Sequence, residues 1–527
     1  MRRGVVALTI VAVVAGGLAA AAVFAWPRAT LAAPGRALAR VSLPGFAGSV
    51  AAVQVRDARG HDVAVSLRGK ELWPRRDVAA GERLTVSLTV HRPGWIGWLV
   101  GHAQRRTFEV VTPVVSLRGR WLQVRAGAPV RLPFTGPVSA VSLNRRAPRQ
   151  LDVPSQNVPT GFVARGEHAA GAVQVAAVAR TWERLPRPVR VSWFPAKPYA
   201  QLLVSPRAGG RLPPASRLTL TFSAPVQTVL GSAHPTLTPR TPGRWRQLDG
   251  HTLAFEPAGF GFGLGAHVRI RLPRAVHVAG SAGASLTRTL RWDVSPGSIL
   301  RLQQLLAQLG YLPVEWTPAA DPGRTTVRAE LAAAASPPPG RFTWRYADTP
   351  SELRTLWQPG EANTVTRGAV MMFEDEHDLA VDGFAGPNVW RALIADAVAG
   401  KRRTDGYSYV FVHRNVPQSL NLWHAGHVIL SSPGNTGVPA APTVLGTFPV
   451  FEHIPSGTMS GTNPDGTHYD DPGIQYISYF NGGDAIHAFN RSSFGTPQSL
   501  GCVELPLAAA AKVWPYTPIG TLVTIEN

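Results

Sequence analysis

At 527 residues the chain is too long for a single hydrophobic core and should hold three to five domains, and it carries a formal charge of +21 with one cysteine, which excludes a disulfide framework. The charge is unevenly placed: residues 404–527 hold three Lys or Arg against eight Asp or Glu, a net of −5 that leaves +26 upstream. The upstream arginines are scattered through alternating patterns and form no block beside exposed aromatics, so no nucleic acid partner is expected; the excess suits an anionic polymer or membrane surface.

Residues 5–25 run apolar behind Met1-Arg2-Arg3, long enough to cross a bilayer as a helix. We read residues 1–28 as a signal anchor or a signal peptide; small residues at Val23-Phe24-Ala25 or Leu31-Ala32-Ala33 suit cleavage, and the long apolar core favours the uncleaved anchor. Either places the remainder outside the cytoplasm, anchored by an N-terminal membrane helix or secreted.

From residue 36 to 296 the pattern is β. Leu84, Val86, Leu88 and Val90 alternate with polar partners, as do Leu218, Leu220 and Phe222, then Val268, Ile270 and Leu272. The fold class expected is multidomain and mainly β, with β modules at 36–112 and 113–196 and an immunoglobulin-like module at 197–296. At Pro296-Gly297 the period turns helical, opening a small helical module over 297–400. Leu302, Leu305, Leu306 and Leu309 make one apolar face ending at Gly310, and Thr349-Pro350-Ser351-Glu352 reads as a capping box. Ala369, Met372 and Phe373 line another face, and Gly386-Pro387 opens a helix carrying Val389, Trp390 and Leu393.

Residues 404–527 return to strands as a β-rich C-terminal domain. Ile474 to Phe480 and Ala485 to Phe489 flank Asn481-Gly482-Gly483-Asp484, a hairpin signal that puts His487 on a strand leaving a tight turn. Cys502 follows fifteen positions later in Ser499-Leu500-Gly501-Cys502-Val503-Glu504, before a short helix and a closing strand. Taken alone, a lone cysteine is usually a small buried hydrophobe and a lone strand histidine a structural residue. Together, in an exported chain, they read as nucleophile and base.

An ordinary thiol is only a few per cent ionised at neutral pH, so an imidazole that takes its proton or pairs with its anion multiplies the reactive fraction. The amides of Gly501 and Cys502 are candidates to steady a tetrahedral oxyanion, and Ser499 to hold the loop. The second imidazole nitrogen needs an acceptor, the Ala488 carbonyl or a neighbour. Residues Ser456 to Gly461, with Met459, read as a flap loop, and Tyr476 and Tyr479 as groove lining.

Ile486-His487-Ala488 followed by Ser499-Leu500-Gly501-Cys502-Val503-Glu504, supported by Pro442 to Phe448, resembles the L,D-transpeptidase catalytic domain, whose motif is a strand histidine, then Ser-His-Gly-Cys, then Val or Ile with Arg or Asn. Leu500 stands where that motif has its second histidine and Glu504 where it has Arg or Asn. Leu302 to Tyr311, Ala369 to Phe373 and Leu379-Ala380-Val381-Asp382-Gly383 resemble a peptidoglycan-binding three-helix module, interrupted by an insertion from about 313 to 362.

The resemblance implies a cell-wall enzyme that forms 3→3 peptidoglycan cross-links between stem peptides through a Cys502 thioester, reacts with carbapenems, and needs no cofactor or metal. The upstream basic modules would then meet anionic wall polymers. Hydrolysis instead of transfer would make it an L,D-carboxypeptidase. A papain-like peptidase has its cysteine before its histidine, the reverse of the order here, and a zinc site built on His424 and His427 with His413, His453 or His468 lacks motif spacing. An inactive wall-binding scaffold is the remaining alternative.

Overall fold

The computed structural model describes all residues except 1–16, 18–27, 33–34, 44–47, 95–96, 99–100, 166–168, 274–275, 280–288, 322 and 324. Among the described residues no helix is long and apolar enough to cross a membrane. This corrects the expected fold class and location: the chain is mainly β with a small helical region and a β-rich C-terminal domain, and the N-terminal membrane helix and the anchoring it implied are withdrawn. Nearly all of the apolar run behind that expectation, 5–16 and 18–25, lies outside the described residues.

Contacts divide the chain into two units. The first comprises residues 1–203, 221–229 and 275–286. Its strands Ser49–Arg56, Arg83–His91 and Ala103–Val111 form an antiparallel sheet whose inward residues Leu84, Val86, Leu88 and Val90 are buried, as period-2 alternation requires. A five-stranded sheet follows, in spatial order Arg149–Val163, Pro129–Leu143, Gly171–Val178, Val189–Pro195, Trp121–Val124. Trp182 ties the two regions by packing into the core of the first.

The second unit comprises residues 204–220, 230–274 and 287–527. In its helical region α1 (Ile299–Gln308) is capped by Ser298, whose hydroxyl accepts from the Arg301 amide, and it ends at Gly310 with φ 87°. The capping box is not made. The Thr349 hydroxyl donates to the Tyr346 carbonyl at 2.7 Å, and the helix after it, Ser351–Thr355, has no side-chain cap. The insertion folds as a hairpin, Val314–Pro318 with Gly340–Trp344, around α2 (Val327–Ala335). Next come α3 (Thr364–Glu376), capped by Asn363, and α4 (Pro387–Ala399), with proline in its first turn and Gly400 at φ 68° beyond its end.

The C-terminal domain has two sheets. The first runs β3-β2-β1-β9-β4, from β1 (Ser408–His413), β2 (Ser419–His424), β3 (His427–Pro433), β4 (Gly446–Pro449) and β9 (Leu522–Glu526). The second runs β5-β6-β7-β8, from β5 (Glu452–Thr462), β6 (His468–Asn481), β7 (Asp484–Ala488) and β8 (Val503–Leu505). Val410, Val412, Leu420 and Leu422 from one sheet meet Phe480, Ile486, Ala488, Val503 and Leu505 from the other, with Ala510 and Val513 of α5 (Leu507–Val513), in one buried core.

The helical region and the C-terminal domain share a second core, in which Leu305, Leu306, Phe373 and Trp390 pack with Tyr407, Tyr409, Trp423 and Leu522. The Trp423 indole donates to the Asp348 carbonyl at 3.0 Å. The two regions approach closely at Gly368 of α3, where an added Cβ would lie 2.5 Å from the Gly520 carbonyl oxygen and 2.9 Å from Leu522 Cδ2. Backbone cannot yield as a flexible side chain does, so Gly368→Ala is expected to cost about 1–3 kcal/mol, read as a lower urea midpoint at unchanged slope.

Candidate active site

His487 reaches its position because Gly482, at φ 55°, and Gly483 close the β6–β7 hairpin between the paired residues Asn481 and Asp484. Strand β7 then pairs in parallel with β8, matching Ile486 to Val503, His487 to Glu504 and Ala488 to Leu505. Ile486, Ala488, Val503 and Leu505 face the inter-sheet core. Ala485, Phe489 and Cys502 pack on the opposite face with Ile474 and Ile477. Strand alternation therefore puts His487 and Cys502 on one side of the β7–β8 pair.

His487 is 3% exposed, and its Nδ1 lies 3.0 Å from the Ala488 carbonyl oxygen. A carbonyl only accepts, so Nδ1 carries the proton and Nε2 is left with a lone pair. This is the orienting acceptor that the sequence had left open. Burial holds the imidazole pKa below its ordinary value, although the Ala488 carbonyl and the Glu504 carboxylate pull the other way.

Cys502 is half-buried, and its thiol donates to the Gly483 carbonyl at 3.6 Å. Burial pushes its pKa up to about 12, against the Ala485 backbone N–H, which favours the anion; the Asp484 and Glu504 carboxylates add to the rise. At rest the two groups on this face are thus a neutral thiol and a neutral imidazole, rather than a thiolate and an imidazolium.

The turn before Cys502 is built by its own residues. Ser499 Oγ donates to the Cys502 carbonyl at 2.6 Å and accepts from the Gly501 amide at 3.3 Å, so Ser499 fastens the loop and the Gly501 amide is engaged within it. Gly501 sits at φ 117° with the Asp484 carboxylate against its Cα, where a side chain would clash. Glu504, 3% exposed, is gripped by both prongs of Arg491 at 2.8 and 2.6 Å.

The remaining expected residues separate. Met459 and Tyr479 pack against the cluster that includes Cys502. Tyr476, at φ 62°, packs on the inter-sheet side near Trp514, so the structure does not bring it to the sulfur. Residues 456–461 form part of strand β5, hydrogen-bonded to β6 with a bulge between Gly457 and Met459, where the sequence suggested a loop. Sequence reasoning missed Asp484, Arg491 and Tyr469, whose ring lies against Gly461 and whose pKa is raised chiefly by burial, with Cys502 contributing.

Beside Phe489 a groove of about 730 Å³ is lined by Asp471, Gln475, Asn490, Phe494 and Leu507 among others. Among the described residues no three His, Cys, Asp or Glu side chains gather as a metal site. His424 pairs across the strand with His427 and bonds Ser408, while His453 stacks on Trp514.

A lone thiol and a buried neutral base oriented through its other nitrogen, on one face of two paired strands with a glycine turn leading into the thiol, are the equipment of a cysteine-dependent acyltransferase. Residues 407–525 match the YkuD family, the L,D-transpeptidase catalytic domain. The C-terminal domain is of that family, and it makes the chain a cysteine-dependent acyltransferase.

Among solved structures, an L,D-transpeptidase from Mycobacterium smegmatis is 12% identical over 62% of this chain and 99% of its own, with a TM-score of 0.21. L,D-transpeptidase 3 from Mycobacterium tuberculosis gives the same identity, coverages and score. The catalytic domain of the Enterococcus faecium L,D-transpeptidase, in a structure acylated by ertapenem, is 26% identical over 24% of this chain and 99% of its own, also with a TM-score of 0.21. No curated protein matches the chain.

Proposed function

We propose that the protein is a cell-wall L,D-transpeptidase that forms 3→3 cross-links between peptidoglycan stem peptides. The observation that carries this reading is the placement of Cys502 and the free Nε2 of His487 on one face of β7 and β8, inside a domain of the L,D-transpeptidase family. In the donor half-reaction the thiol turns from the Gly483 carbonyl towards Nε2, gives up its proton as sulfur attacks the carbonyl of the third stem residue, and the C–N bond to the terminal D-alanine breaks. The imidazolium returns that proton to the departing amine, leaving a thioester. The side-chain amine of a second stem then attacks, His487 takes its proton, and the thiol is regenerated.

The Cys502 amide, at the head of the Ser499 turn, is the donor offered to the tetrahedral oxyanion. Asp484 and Ser499 position the turn, while Met459 and Tyr479 cover the thiol on the substrate side. The basic upstream modules, at 36–112, 113–196 and 197–296, hold the enzyme near anionic wall polymer outside the cytoplasm. The helical module at 297–400 serves chiefly as a platform, a role supported by its shared core with the domain at 404–527.

Incubating the full chain with a disaccharide-tetrapeptide stem tests the reading. Intact-protein mass spectrometry is expected to show an adduct equal to the stem minus D-alanine, and product analysis a 3→3 dimer. Tripeptide without dimer would make the protein a carboxypeptidase. Absence of adduct, dimer and tripeptide together would leave a scaffold.

A further inference from the structure

We propose that Glu504 and Arg491 form a positioning pair for the reacting groups, fixing the thiol-bearing turn to strand β7 and keeping the charge beside His487 balanced. The proposal rests on Cys502 and His487 being the reacting pair.

Glu504 is the direct cross-strand partner of His487 and lies two residues beyond Cys502, so all three side chains share one face. Its carboxylate is almost wholly removed from water and is held by Arg491 Nε at 2.8 Å and Nη2 at 2.6 Å, a fork geometry that fixes direction as well as distance. Arg491 Nη2 also donates to the Gln498 carbonyl at 3.2 Å, which ties the segment entering the Ser499 turn to the same ion pair. The guanidinium lies 4.5 Å from the centre of the Phe489 ring, and that ring meets His487 edge-on at 5.9 Å.

Asn435 completes the fastening. Its backbone exchanges two 2.9 Å hydrogen bonds with Glu504, and its side-chain oxygen accepts from the Gly495 amide at 2.9 Å. The loop from 491 to 501 is thereby pinned at both ends and in the middle.

The same geometry makes the pair electrostatic in effect. Glu504 from β8 and Asp471 from β6 favour a protonated imidazole, and Arg491 from the loop opposes them. Glu504 also acts on the Cys502 sulfur, together with Asp484. Intact, the two charges oppose one another at the imidazole; broken, the pair leaves a single uncompensated charge next to the base.

Acylation rates of the full chain with a carbapenem, measured from pH 5 to 8, test this. Arg491→Gln leaves the carboxylate alone and is expected to move the acid limb up by about one pH unit, whereas Glu504→Gln leaves the guanidinium and moves it down by a similar amount. The double substitution returns the limb to near its wild-type position. Arg491→Lys keeps charge but loses the fork, so the limb stays while the rate falls by about tenfold.

Limbs that do not move, or that move together, in variants with wild-type far-UV circular dichroism would overturn the proposal. Should Glu504→Gln fail to fold, Arg491→Gln and Arg491→Lys decide: the limb must move in the first and stay in the second. A wild-type protein that takes no adduct would overturn the proposed function, and this inference with it; an acylating wild type with indifferent limbs overturns only the inference.

Discussion

Cys502→Ala is expected to abolish covalent capture of a carbapenem or stem peptide and to lower turnover by about 10⁴-fold or more, because no other thiol exists in the chain to form the acyl-enzyme. The substitution removes one sulfur from a half-buried site and leaves the Ser499 turn intact, so the melting curve should change little. Intact-protein mass spectrometry gives a yes-or-no readout: one adduct on the wild type, none on the variant. An adduct that persists in Cys502→Ala would place the nucleophile elsewhere and undo the mechanism.

His487→Gln should cost about 10²–10⁴ in acylation rate, the usual range for a general base. The pH profile gives the sharper distinction. In the wild type the working form is neutral imidazole, and since burial holds its pKa below the ordinary 6.5, activity should persist through neutrality and fall only as pH drops through that depressed value. The thiol, pushed up to about 12, contributes no rise near neutrality while the base is present. Without the base, attack depends on the sulfur ionising by itself, about one molecule in 10⁵ at pH 7, and the rate should climb tenfold per pH unit towards about 12. A variant that keeps the wild-type profile would show that His487 takes no proton.

Much of this site was legible in the chain because its determinants are local. The Gly-Gly turn, the strand after it and the Ser-x-Gly-Cys turn each specify their geometry within a few residues. The Glu504–Arg491 pair was not, because thirteen residues separate two partners that only a parallel pairing brings together. Glu504 looked like a departure from a motif until the position of Arg491 supplied its counterpart. Tyr476 and Tyr479 part for a different reason: an odd separation puts two strand residues on opposite faces, and the positive φ at Tyr476 does not reverse this.

Elsewhere, tertiary contacts overrode local signals. Thr349 has the sequence of a helix cap, yet its hydroxyl is taken by a carbonyl three residues earlier in the turn that supports Trp423. The Gly- and Ser-bearing segment around Met459 lacks strand propensity, and its backbone groups are recruited by β6 all the same. The apolar face of α1 was readable as a stripe, but its extension into the domain that holds the thiol depends on Tyr407, Tyr409 and Trp423, about a hundred residues away.

The side-by-side run of β7 and β8 also makes the catalytic pairing a matter of reading frame. Insertions that leave Arg491, Gly495 and Gln498 on their partners only lengthen the connection between those points, whereas one residue added between Cys502 and Val503 would swing the sulfur through the sheet into the hydrocarbon layer. Sequence drift in descendants of this gene should therefore hold the spacing most strictly from Cys502 onward, where a single added residue reverses the face of the sulfur.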